Sequence, residues 1–221
     1  MGDSLLAVEV EGLAKSFGPK RILHEVRFSV PAGKLMAITG PSGSGKTTLL
    51  RAVAGLEPID AGHIHIGGRS VSRPGFRVPP EKRGIAMTFQ EGALWPHMTA
   101  EKHLRFVLRA HRLSVPETET RIRHVLEVVD LADRGTARPH ELSGGEQQRL
   151  GIARALCVDA PLLLMDEPFA HLDEARTVRI LTEIKERVCA GRSTVLLATH
   201  NETLLDADLV SRMGNACGNE S

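Results

Sequence analysis

Gly40-Pro41-Ser42-Gly43-Ser44-Gly45-Lys46-Thr47 fits the pattern G-x-x-x-x-G-K-[ST] without a mismatch. Each residue type in it has a chemical use. The glycines let a loop wrap phosphates with its backbone N–H groups, and Lys46 brings a point charge to the outer phosphates. The Thr47 hydroxyl is a hard oxygen ligand of the kind Mg²⁺ takes. The alternative is a chance glycine-rich turn before a helix, and the flanks argue against it. Leu35-Met36-Ala37-Ile38-Thr39 reads as a buried parallel strand. Thr48 to Ala54 reads as a helix that Gly55 ends.

Other polar residues stand where apolar runs stop. Leu162 to Met165 is an apolar strand ending in Asp166-Glu167. Ligands of such sheets bind at the C-terminal ends of the strands. Asp166 suits Mg²⁺, and Glu167 is placed to orient or deprotonate an attacking water. Thr194 to Thr199 is a further apolar strand, and His200 after it could reach a γ-phosphate. Gln90 follows the strand-like run Ile85–Phe89, and its amide can both donate and accept. Leu142-Ser143-Gly144-Gly145-Glu146-Gln147-Gln148-Arg149 opens a second helix with Ser143 as its cap. A helix start free of bulky side chains is an anion site, so the chain carries two.

These residues need a frame to hold them. Residues 1–90 read as strand-rich: Val26, Phe28 and Val30 alternate, and so do Ile64 and Ile66 with His63 and His65. Gly18-Pro19, Pro31-Ala32-Gly33 and Gly67-Gly68 mark turns. From about Met98 the pattern becomes helical. Ser114-Val115-Pro116-Glu117 is a capping box, and Ile122, Val125, Leu126 and Val129 form an apolar stripe. A helix near Glu174–Cys189 separates the last two strands. Strand, helix and strand after a phosphate loop predict an α/β parallel sheet, interrupted by a helical block. His63 and His65 could pair on a metal, but no third ligand stands near them, and they are expected to face water.

Taken in order, these motifs resemble the ATP-binding subunit of an ABC transporter over nearly the whole chain. Gly40–Thr47 is similar to the Walker A loop, Gln90 to the Q-loop glutamine and Leu142–Gln147 to the signature motif. Leu162–Asp166 with Glu167 is similar to Walker B and its catalytic glutamate, Leu172-Asp173 to the D-loop end and His200 to the switch histidine. The resemblance implies a P-loop NTPase (RecA-like) α/β core with an N-terminal antiparallel β-subdomain and an inserted α-helical subdomain. It implies one ABC ATPase domain over 1–221. In it, 1–90 and 151–213 form the core with its β-subdomain, 91–150 the helical subdomain and 214–221 a frayed tail.

The resemblance also implies a site. Glu167, His200, Lys46 and Gln90 would be catalytic. ATP would be held by Phe17, Gly40, Pro41, Ser42, Gly43, Ser44, Gly45, Lys46, Thr47 and Thr48, with the Phe17 ring on the adenine. Mg²⁺ would be held by Thr47, Gln90 and Asp166. Ser143, Gly144, Gly145, Glu146 and Asp173 would meet the ATP of another subunit in trans. The partner would be a second copy of the chain, or a paralogous ATPase subunit, in an ATP-sandwich dimer. Pro79 to Leu104 is similar to bacterial importer ATPases for sugars, sulfate, iron or polyamines. In those, this region receives the membrane permease, here near Gln90–Met98 with Trp95 as anchor, and a substrate-binding protein completes the complex. The alternative packing role for Trp95 is inside the helical block. An exporter or lipid-release subunit, or a non-transport ABC ATPase, are the alternative functions.

The chain departs from the family in places. Ala170-His171-Leu172-Asp173 replaces Ser-Ala-Leu-Asp in the D-loop, and Asn201 follows the switch histidine where aspartate is usual. The strands expected after His200 read as missing or shortened. The extra C-terminal β-domain of such importer subunits is not expected in a chain that stops at Ser221, nor is regulation through it.

Composition bounds the rest. Lys and Arg number 28 against 27 Asp and Glu over 221 residues, which argues against a nucleic-acid partner. Arg105, Arg109 and Arg112 read as a solvated helix face. Cys157, Cys189 and Cys217 fit no metal pattern; the first two are expected as core or near-core thiols in a reducing compartment. No basic n-region opens the chain, and no apolar run approaches the roughly 18 residues of a membrane span. The expectation is a cytoplasmic protein, peripheral on the inner face of the cell membrane through the permease.

Overall fold

Two kinds of apolar pattern build two sheets. The computed structural model describes residues 6–89, 93–111, 113–200 and 207–213. Gln90, Arg112, Asn201, Cys217 and the 214–221 segment lie outside the described residues.

Alternation makes the first sheet. β1 (Leu6–Phe17) and β2 (Lys20–Pro31) form a long antiparallel hairpin, with Val8 opposite Val30 and Phe17 opposite Lys20. β4 (Ala61–Ile66) pairs with the other edge of β1, and β5 (Arg69–Arg73) and β6 (Phe76–Arg77) continue the sheet, in the order β2-β1-β4-β5-β6. Val8, Val10, Leu23 and Ile64 are buried on one face, while Glu11 and His63 are exposed.

Unbroken apolar runs make the second. β3 (Leu35–Thr39), β7 (Ile85–Thr88), β8 (Leu162–Asp166), β9 (Thr194–Thr199) and β10 (Leu209–Arg212) pair in parallel in the order β10-β3-β9-β8-β7. Both faces of the central strands are covered, so every residue of β8 and β9 is buried. Alternate residues go to different cores. Leu162, Leu164, Leu196 and Ala198 pack with α1 (Lys46–Ala54) and the antiparallel sheet. Leu163, Met165, Val195 and Leu197 pack with the remaining helices: α2 (Ala100–Leu108), α3 (Val115–Val128), α4 (Gly144–Cys157) and α5 (Glu174–Cys189).

Local chemistry sets the helix ends. Ser114 and Ser143 form full capping boxes with Glu117 and Glu146, Thr99 and Asp173 cap α2 and α5, and Gly55 ends α1 at φ 80°. Ile122, Val125, Leu126 and Val129 are buried as their spacing predicts.

One expectation is narrowed and one corrected. Among the described residues one short strand follows His200: β10 lies beside β3, and the Asp208 carboxylate accepts from Leu35 N at 2.9 Å and Lys34 Nζ at 3.0 Å. An edge strand with Val210 turned outward has no continuous apolar run to mark it in the sequence. Cys157 is buried as expected, but Cys189 is exposed at the end of α5. Burial pushes the Cys157 thiol up to about 12. His63 faces water, His65 is half-buried, and no group of three His, Cys, Asp or Glu among the described residues could hold a metal. No helix of the described residues is long and apolar enough to cross a membrane.

Candidate functional site

Parallel pairing brings the C-terminal ends of β3, β9, β8 and β7 side by side, and Asp166, Glu167, His200 and the loop before Lys46 emerge there together. The segment after β3 turns through Gly40, Pro41, Ser42, Gly43 and Ser44 into α1. Gly45 stands at φ 98°, where a Cβ would come within 2.9 Å of Leu23 Cδ2. Only glycine meets both the backbone angle and the close approach of β2.

Lys46 is almost wholly buried. Its Nζ donates to Gly40 O at 2.7 Å and Pro41 O at 3.2 Å, and lies 3.4 Å from Glu167 Oε1. Thr47 Oγ1 donates to Asp166 Oδ1 at 3.1 Å. Asp166 N donates to Thr88 Oγ1 at 3.2 Å, which ties β7 to the end of β8. Burial holds the Asp166 carboxyl above the usual carboxylate range, opposed by the Thr47 hydrogen bond and reinforced by the Glu167 charge. Glu167 Oε2 lies 2.9 Å from His200 Nδ1. Glu167 thus stands between the lysine of one strand end and the histidine of another.

A cavity of about 640 Å³ opens over these groups. Phe17, Lys20, Ile22, Thr48, Ala170, His171 and His200 line it together with the loop. Phe17 at the end of β1 is half exposed, and Lys15 Nζ stands 5.1 Å from its ring centroid. The site has unmet polar capacity that suits a polyphosphate: Thr39 Oγ1 and Ser44 Oγ are buried without a hydrogen-bond partner among the described residues. The hydroxyl and carboxylate oxygens of Thr47 and Asp166 are the donor set a hard divalent cation takes.

Not every expected residue comes to this cavity. Ser143, Gly144, Gly145, Glu146 and Asp173 are absent from its lining. Glu146 is turned back on its own helix start, where Oε2 accepts from Ser143 N and Oγ, each at 2.8 Å. Asp173 caps α5 and pairs with Arg176. Gln90, expected on the cation, lies outside the described residues.

A separate groove of about 440 Å³ runs beside Leu56, Ile85, Met87, Trp95 and Arg154. The Trp95 ring stacks on His103 at 5.4 Å, meets Phe106 edge-on at 5.0 Å and carries the Arg154 guanidinium 5.2 Å above it.

Sequence reasoning missed one residue that touches the site from behind. Gln148 of α4 donates from Nε2 to the carbonyls of Glu167 and Pro168, each at 3.2 Å. A signal existed: Gln148 is in phase with buried Ile152 and Leu156 on the same helix, a polar residue on an apolar stripe.

Comparison with known proteins agrees with this geometry. The sequence model of the family described as ABC transporter matches residues 23–170. The sn-glycerol-3-phosphate import ATP-binding protein UgpC of Cereibacter sphaeroides is 39% identical over 213 residues, 95% of this chain and 60% of that protein. The Fe(3+) ions import ATP-binding protein FbpC 2 of Rhodococcus jostii is 44% identical over 213 residues, 94% of this chain and 59% of that protein. The chain thus spans about three fifths of the length of these curated relatives. The dimeric post-hydrolysis structure of the ATP-binding cassette MJ0796, bound to ADP and Pi, matches with a TM-score of 0.81 at 26% identity. That match covers 93% of this chain and 94% of the other.

Proposed function

The chain belongs to the ABC transporter family, and on that premise we propose that it is the ATP-hydrolysing, energy-coupling subunit of a bacterial importer. The observation that carries this reading is the convergence of Lys46, Thr47 and the Glu167–His200 pair on one cavity, with Asp166 bonded to Thr47 behind it.

ATP enters with its phosphates in the loop 40–45 and its adenine against the exposed face of Phe17. Lys46 exchanges the carbonyls it now holds for phosphate oxygens. Glu167 accepts a proton from the attacking water, and Lys46 Nζ, 3.4 Å from its Oε1, helps to orient the carboxylate. His200 donates from Nδ1 to the second carboxylate oxygen and so orients Glu167. Thr47, Asp166 and Gln90 would hold Mg²⁺, which when bound neutralises charge on the phosphates.

The helical stretch 91–150 is read as a subdomain and 1–90 with 151–213 as the core. The start of α4, away from this cavity, is read as the half-site for ATP held by a second subunit. A permease would dock at the groove beside Trp95, keeping the chain at the inner face of a membrane. The names of the import relatives support this direction of transport.

The test is ATP hydrolysis by purified protein with Glu167→Gln. Turnover is expected to fall by about 10²–10⁴-fold while ATP binding persists. Undiminished turnover would remove Glu167 from the reaction.

A further inference from the structure

Glu167 is held in a conformation its own chemistry disfavours. Its φ is 46°, in the left-handed region that a residue with a Cβ rarely adopts. Pro168 follows, and a residue before proline is pushed toward extended backbone instead. Such a turn persists only when its surroundings over-determine it. Its main-chain bonds are Glu167 N to Ala198 O at 3.0 Å and Ala170 N to Glu167 O at 3.3 Å. The remaining contact comes from another element altogether. The Gln148 amide donates to both carbonyls of the turn, Glu167 O and Pro168 O, each at 3.2 Å.

With the Gln148 Nε2 hydrogens committed, its Oε1 is left to accept. His171 Nδ1 lies 3.3 Å from it, which assigns the proton to Nδ1. The reversed amide would set Oε1 against two carbonyl oxygens and Nε2 against the Nδ1 proton. The two carbonyls therefore select the amide orientation that clamps the turn, and the His171 Nδ1–H bond to Oε1 adds a further hold on it. Gln148 is buried, whereas His171 is exposed and lines the same cavity as Glu167.

We propose that Gln148 is a positioning residue for Glu167 and that His171 locks the Gln148 amide in the clamping orientation. Gln148 stands one turn into α4, the helix whose first turn is read as the half-site for the second ATP. Displacement of that helix would therefore act on the carboxylate of the same chain through the turn at Pro168. The inference rests on the hydrolytic reading of Glu167.

Steady-state ATPase kinetics test it. Gln148→Leu keeps the side-chain volume and removes the amide; kcat is expected to fall about 10–100-fold, as for a misplaced reacting group. KM for ATP should stay within about twofold, because the phosphate loop is untouched. His171→Leu should lower kcat by a smaller factor, and His171→Asn, which restores a donor, should recover it. A His171→Leu enzyme with wild-type kcat, or a Gln148→Leu loss that falls on KM alone, overturns the proposal.

Hydrogen exchange supplies a readout independent of turnover. The Ala170 amide should exchange faster in His171→Leu than in wild type, while amides of β3 are unchanged. Since His171 is exposed, that variant is expected to fold. If the wild-type protein hydrolyses no ATP, the functional reading falls, and the exchange result still decides whether the clamp exists.

Discussion

His103 is wholly buried, and both of its ring nitrogens are committed. Nδ1 donates to Thr99 O at 2.8 Å, and Nε2 accepts from Trp95 N at 2.8 Å. A proton on Nε2 would break the second bond and place a charge beside Arg154 and His97. Burial lowers the His103 pKa, and those two groups add to the effect against the Thr99 bond. The unfolded chain takes up this proton near the ordinary histidine value of about 6.5 and the folded chain only below it. The stability linked to His103 is therefore full above that pH and is lost as pH falls toward the lowered folded value. Trp95 is the only tryptophan, so its fluorescence follows the segment directly. Urea unfolding at pH 7.5 and 5.5 should show a drop in stability that is shallower in His103→Val.

At the level of elements, α3 is joined to the core by charge rather than by apolar contact alone. Arg121 meets Asp159 in a fork, with bonds of 2.8 and 2.7 Å, and His124 Nε2 lies 3.0 Å from Glu183 Oε2. Arg187, nearly inaccessible in α5, binds Glu183 at 2.7 Å and lies 3.6 Å from Asp159. Burial pushes Glu183 up, but the Arg187 and His124 contacts outweigh it and hold the carboxyl below its usual range. Its contribution is present above the usual carboxylate pKa and is lost as pH falls through the lowered value. Removing one partner of a buried pair strands the other. Arg187→Ala should destabilise the protein by about 3–5 kcal/mol in urea titrations, and Glu183→Leu with Arg187→Leu should recover much of that. A double variant as unstable as Arg187→Ala would mean the pair itself stabilises the seam.

At the scale of the molecule, only one of the two glycine-bearing helix starts lines the cavity. α1 opens at the cavity with Lys46 and Glu167, and α4 opens elsewhere, its cap Ser143 exposed. On the reading proposed above, one chain would offer half of each of two sites, and ATP is expected to join two chains. Glu167→Gln protein should shift from monomer to dimer on adding ATP in light scattering. Adding Ser143→Arg should leave ATP binding near normal and suppress the shift. A dimer that still forms would show that the α4 start is not at the interface.

The phosphate loop, the strand before it, the Ser114 capping box, the Ser143 cap and the apolar runs ending in Asp166 and Thr199 were legible in the sequence. Each depends on residues within one turn or one strand of each other, where steric and hydrogen-bonding preferences act locally. The resemblance to a family supplied roles for Phe17 and the α4 start that spacing alone does not carry. Other features came only from the fold. β10 is a strand because β3 offers it an edge. Cys189 is exposed because α5 turns its last residue outward. His103 Nε2 is an acceptor because the Trp95 N–H reaches it, and Gln148 clamps a turn nineteen residues beyond it. These depend on which distant groups are brought within about 3 Å, a distance set by packing rather than by any short stretch of chain.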